Sequence, residues 1–192
     1  MIFSVVGCGE TASDWIPRGT SIGVNDCFKW GKPTDALLVC NRPNQFRNGR
    51  HEIITNSKAT HFYTDDDYYG KLWRVHKKSM RKSLRSNNPA LPEVRFLQWY
   101  GSLYKDAVFY ANSSPFIAMS LAYVLGAKDI ILWGVDFRNH HSFNDNNPGT
   151  KIEIRAYMEL ISALKEQGVN VWLGKEGTAF DSKLIVYDER GV

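Results

Sequence analysis

The sequence contains no apolar run near the ~18 residues that a membrane span needs, so no membrane association is expected. Its start, MIFSVVGCGE, has no basic residue ahead of the apolar run, which argues against a secretory leader. Cysteine is scarce: Cys8, Cys27 and Cys40 form an odd set without CxxC spacing. They read as reduced core thiols and point to a cytoplasmic protein. There is no Gly-x-Ser-x-Gly elbow, and no cysteine has an evident catalytic partner, which sets nucleophilic hydrolysis aside. No internal repeat and no low-complexity tract is present.

What is present is an ordinary globular composition. Of 192 residues, 43% are apolar and 23% charged, enough for one domain with its own core. The formal net charge is +4, and it is unevenly placed. The segment KLWRVHKKSMRKSLR carries Lys71, Arg74, Lys77, Lys78, Arg81, Lys82 and Arg85, one histidine and no acid. A block of this kind suits a polyanion or a phosphorylated ligand, or is simply a solvated helix face. The polyanion reading assigns binding to Arg74, Lys77, Lys78, Arg81, Lys82 and Arg85.

Residues 2–6 read as a short buried strand running into the Gly-rich turn GCGET. Further strands are expected at 20–27, 34–41, 52–55 and 60–64. Residues 65–105 break this rhythm and read as a basic insertion or lid built of a helix and a loop. A helix is expected over 113–127, with Ser113 or Ser114 as N-cap, Pro115 in its first turn and Gly126 ending it. A buried strand, KDIILWGVDF, follows. Then come a helix over about 151–167, a strand at VNVWLG and a last edge strand at KLIVYD. Alternating strands and helices predict a Rossmann-like α/β domain over 1–192, its sheet mostly parallel and its helices on both faces.

In open α/β sheets ligands lie beyond the carboxyl ends of the strands. That rule selects Gly7, Gly9 and Thr11; Asn25 and Asp26; Asn41 and Arg42; Asn112, Ser113 and Ser114; and Gly134, Asp136 and Arg138. Of these, Gly7, Gly9, Thr11, Asn25, Asn41, Ser113, Ser114, Gly134 and Asp136 are the set suited to ribose, base and phosphate. GCGET alone is a weak phosphate signal, because it lacks the third glycine of a dinucleotide fingerprint and any Walker lysine. The run IILWGVDFRNHHSFND leaves a buried strand through Asp136 toward His140 and His141. Imidazole titrates near neutrality, so either histidine is a candidate general base.

The segments VVGCGET, IGVNDCF, PTDALLVCN, NSSPFIAMSLAYVLGAKDIILWGVDF and GVNVWLG resemble a Rossmann-like group of enzymes. It includes 6-hydroxymethylpterin pyrophosphokinase-like proteins and bacterial sialyltransferases that use a nucleotide-activated sialic acid. The resemblance covers roughly residues 1–45 and 108–175. Its clearest pattern is carried by Leu125, Gly126, Ile130, Leu132, Gly134 and Asp136. Glu10 stands where the group has proline. The resemblance implies that Gly7, Gly9 and Thr11 border phosphates, that Asn25 and Asn41 bind phosphate or ribose, and that Ser113, Ser114 and Asp136 contact the nucleotide. It implies a glycosyltransferase acting by direct displacement, with His140 or His141 as base and Asp136 in the catalytic site. Such an enzyme needs no cofactor beyond its nucleotide-sugar donor, and nucleic acid is a candidate acceptor, as in DNA-modifying enzymes of bacterial viruses. The alternatives are a pyrophosphokinase, which would need Mg²⁺ and ATP, and a non-catalytic nucleotide-binding module.

Overall fold

The computed structural model describes residues 1–75, 83–138 and 148–188. Their strands are β1 (Ile2–Val6), β2 (Thr20–Val24), β3 (Ala36–Leu38), β4 (His61–Thr64), β5 (Ser83–Ser86), β6 (Glu93–Gln98), β7 (Ala107–Tyr110), β8 (Asp129–Trp133) and β9 (Asn170–Leu173). Helix α1 (Arg50–Thr55) lies between β3 and β4, and α2 (Asp67–Leu72) follows β4. Helix α3 (Ser114–Val124) lies between β7 and β8, and α4 (Pro148–Glu166) between β8 and β9. The strands form one sheet in the order β7-β6-β5-β4-β3-β2-β1-β8-β9. Only β5 runs against its neighbours; every other pairing is parallel. This is the expected mostly parallel α/β architecture.

Side chains alternate between two cores, as strand geometry dictates. Phe3, Val5, Ile130 and Leu132 pack on one face with Phe116 and Leu121 of α3 and with Leu160 and Leu164 of α4. Val6, Ile131 and Trp133 pack on the other with Trp15, Ile54 of α1 and Tyr69 of α2. Helix α3 is buried along nearly its whole length, as a helix covered on several sides must be. Among the described residues no helix is long and apolar enough to cross a membrane.

Four expectations need correction. Residues 52–55 are not a strand but part of α1. β3 and β4 pair directly in parallel, so the chain between them has to cross over outside the sheet, and the short run at Ile53 and Ile54 is that crossover. The segment 65–105 is not a helix-and-loop lid. After α2 it contributes β5 and β6 to the sheet itself, with Leu84, Val94 and Phe96 buried. Arg85, expected on a polyanion-binding face, is buried in β5, and its Nη2 donates to Asp67 Oδ1 at 3.1 Å. Of the other basic residues, Arg74 is exposed at the end of α2, and Lys77, Lys78, Arg81 and Lys82 lie outside the described residues. The expected edge strand KLIVYD is reduced to one bridge, Val186 to Leu173. β7 is a strand that the sequence reading left unassigned.

β7 and β2 are five steps apart in the sheet. Ser114, four residues beyond β7, nonetheless reaches both Asn25 after β2 and Asn41 after β3. The segment after β7 therefore crosses the carboxyl edge of the sheet and brings the exit of the edge strand into one place with the exits of the central strands.

Candidate functional site

At the carboxyl edge of the sheet lies a cleft of about 630 Å³. Its lining includes Gly9, Asn25, Asn41, Ser113, Ser114, Gly134 and Asp136, seven of the nine residues singled out for nucleotide binding. A second cavity of about 380 Å³ adjoins it and shares Asn41, Asn112, Ser113 and Ser114.

Two hydrogen-bonded groups organise the cleft. In the first, Asn25 Nδ2 donates to Ser114 Oγ at 3.3 Å, and Ser114 Oγ donates to Asn41 Oδ1 at 3.3 Å. Asn25 holds a left-handed backbone, φ 52°, which asparagine tolerates better than most residues. Its Oδ1 is buried without a hydrogen-bond partner, a condition usually relieved by a ligand or a water.

The second group joins β1 to β8. Asp136, 6% exposed, accepts from the Thr11 amide at 3.0 Å and from the Thr11 hydroxyl. Thr11 Oγ1 in turn accepts from the Gly134 amide at 2.9 Å. The backbone amides of Gly7 and Gly9 donate to the carbonyls of Trp133 and Gly134 at 2.7 and 2.9 Å. A Cβ at Gly7 would overlap the Gly134 carbonyl, and one at Gly9 the Asp136 carboxylate. Gly134 itself sits at φ +65°, where a side chain would be strained. The glycines of GCGET therefore permit two strand exits to cross in contact. The amides of Gly7, Gly9 and Thr11, expected beside phosphates, are engaged inside the protein, and Asp136 is held by Thr11.

Ser113 occupies the N-cap position of α3, but no side chain caps the helix there. Its hydroxyl is instead 2.6 Å from the hydroxyl of Tyr157, a fully buried residue of α4. One turn earlier on α4, Glu153 is 1% exposed and lies beside Asn112 and Ser113. Burial pushes its carboxyl above the usual range, against hydrogen bonds from Ser113 and Asn112, and its Oε1 has no partner. Sequence reasoning missed Glu153. The signal was available, because Glu153, Tyr157, Leu160 and Leu164 follow the spacing of one helix face, and all four are buried.

The cleft also contains Arg138, which the strand-end rule selects, and residues that it does not: Lys29, Trp30, Phe46 and Arg50. Arg50 donates to the buried Asp26 through Nε at 3.0 Å and Nη2 at 2.5 Å. Burial pushes the Asp26 carboxyl up, but the hydrogen bonds and charge of Arg50 outweigh it and hold it below the usual carboxylate range. Burial, with the charge of Asp26, drives the Cys8 thiol well up. Among the described residues no group of three or more His, Cys, Asp or Glu side chains is placed to hold a metal ion. His140 and His141 lie outside the described residues.

No protein-family model matches the chain, and no curated protein matches it in sequence. Two solved structures of the sialyltransferase CstII from Campylobacter jejuni do match in fold, one in complex with cytidine-5'-monophosphate and one with CMP-3FNeuAc. The fold of this chain resembles that of CstII. The TM-scores to CstII are 0.53 and 0.52, each at 12% identity over 97% of this chain. The matches span 85% and 86% of the CstII chains, so the likeness takes in most of both chains.

Proposed function

We propose that this protein is a glycosyltransferase that uses a nucleotide-activated sugar. The observation that carries the reading is the amide–hydroxyl group Asn25–Ser114–Asn41, with its unpartnered buried acceptor, lining a cleft at the carboxyl ends of the strands. Amides and hydroxyls of this kind suit a ribose, a sugar hydroxyl or a phosphate oxygen. The likeness of the fold to a sialyltransferase solved with cytidine-5'-monophosphate supports the same reading. In a direct displacement, an acceptor hydroxyl attacks the anomeric carbon as the bond to the nucleotide phosphate breaks. The hydroxyl proton passes to a base, and we assign that role to His140 or His141. The leaving phosphate takes the bonding electrons and is stabilised by hydrogen-bond donors already in place.

A panel of CMP-, UDP-, GDP- and ADP-sugars, read by thermal shift and then by transfer, tests the reading. A donor at 100-fold over its Kd should stabilise the fold by about 2.7 kcal/mol, roughly 5–10 °C for a chain of this size. His140→Ala/His141→Ala should keep that shift and lose transfer to every acceptor tried, single-stranded DNA included. A flat panel refutes the donor assignment, and full turnover by the double variant removes the histidines from it.

A further inference from the structure

We propose that the phosphate-bearing end of the ligand is held by Lys29 and Arg50, where the cleft meets α1, rather than by the Gly-rich turn. This deepens the glycosyltransferase reading and rests on it for the nature of the ligand. The turn is a poor phosphate cradle, because the amides of Gly7, Gly9 and Thr11 already donate to Trp133, Gly134 and Asp136. The phosphate must find its donors elsewhere in the same cleft.

Lys29 and Arg50 both line that cleft, and both flank Asp26, whose carbonyl accepts from the Lys29 amide at 3.0 Å and whose carboxylate accepts from Arg50, so they meet at one corner. Each is held in position. The Lys29 ammonium lies 4.9 Å from the centre of the Trp30 ring, and the Arg50 guanidinium 5.5 Å from that of Phe46. Such contacts restrict long cationic side chains that otherwise rove. Asp26 fixes Arg50 through Nε and Nη2 and leaves Nη1 outside that contact. Two cations against one buried carboxylate leave the corner positive. Of the other charged residues in the lining, Asp136 is bonded to Thr11, and Arg138 sits 3.8 Å from Asp181. Glu10 is exposed. The lining also contains the start of α3, which no side chain caps, and an N-terminal dipole favours an anion there as well.

The local sequence explains the placement. The turn Cys27–Trp30 directly follows the exit of β2, and α1 begins at Arg50 on the crossover from β3. Both cations thus project from connections at the carboxyl edge of the sheet, where ligands of α/β folds sit.

The test is titration calorimetry with inorganic pyrophosphate at low and at high salt. Wild type should bind, and more weakly as salt rises. Lys29→Gln, a change at an exposed side chain, should weaken binding roughly 5- to 10-fold, the loss of one charge-assisted contact. Arg50→Gln alone would strand the buried Asp26 carboxylate, so Asp26→Asn/Arg50→Gln is the paired variant, and it should weaken binding by a similar factor. No binding by wild type, or binding that neither variant changes, overturns the proposal. If pyrophosphate binds through Lys29 and Arg50 while no nucleotide sugar binds, the corner stands and the donor assignment falls. If nucleotide sugars bind with equal affinity to all three proteins, the donor assignment stands and the corner falls.

Discussion

Thr11→Val removes one hydroxyl while keeping the shape of the side chain, and it should be among the more damaging single changes near the cleft. The hydroxyl donates to Asp136 and accepts from the Gly134 amide. Losing a hydrogen bond to a charged group costs about 1.5–3 kcal/mol, and leaving a buried amide unpaired costs about 1–3 kcal/mol. Thr11 is only half-buried, so water can make up part of both losses, and a total of about 3 kcal/mol is expected. For a chain of this length that lowers Tm by roughly 6–12 °C. Urea unfolding followed by circular dichroism measures it directly, with Thr11→Ser as the control that keeps the hydroxyl and should cost under about 1.5 kcal/mol. A cycle with Asp136→Asn should give a coupling energy of at least about 1 kcal/mol, because the two side chains act on each other. If Thr11→Val falls within about 0.5 kcal/mol of Thr11→Ser, or the cycle is additive, the Thr11–Asp136 contact does not join the two strand exits as described.

Glu153 is raised in the fold, so its stabilising effect is complete below the unfolded glutamate value of about 4.3 and is lost as pH rises through the folded value; Glu153→Gln should therefore be more stable than wild type at pH 8, with the gap closing by pH 4 in urea midpoints. Asp26 has the opposite sign: its contribution is present above about pH 3.9 and is lost as pH falls through the lowered folded value. Asp26→Asn should cost about 2 kcal/mol at pH 7, and that difference should shrink in acid; a constant difference from pH 7 to 3 would show that the Arg50 pair does not hold the carboxylate charged. Cys27, pushed up to about 12 by burial, should resist a thiol reagent at pH 8 in the native state and react at once in guanidinium; prompt native labelling would contradict its burial.

The sheet was legible because β1, β8 and their neighbours are short apolar runs closed by glycine or asparagine, a pattern that a parallel strand buried on both faces requires. The strand-end rule then found Asn25, Asn41 and Ser114 before any contact between them was known. It could not foresee that the amides of GCGET are bonded within the protein, because a glycine that admits a phosphate and a glycine that admits another strand look the same in sequence. β5 and β6 were hidden for a different reason: the surrounding lysines and arginines suggested a solvated helix, and a buried Arg85 has no signature apart from its partner Asp67, eighteen residues earlier. Lys29 and Arg50 were missed because neither follows a strand directly. The value of Arg50 comes from Asp26, 24 positions earlier, which only the fold places beside it.

The contact between Thr11 and Asp136 spans 125 positions of chain, and that between Asn25 and Ser114 spans 89. During synthesis the first exits from the sheet, with their asparagines, appear early and wait for partners that emerge late. The cleft is incomplete in between, because the wall begun by residues 7–11 is finished only by residues 134–136. Contacts of such sequence separation form slowly and last. A ligand fitted to the finished cleft will therefore recognise only chains that have completed their topology, and a product cut short before Gly134 will be inert toward it rather than weakly active.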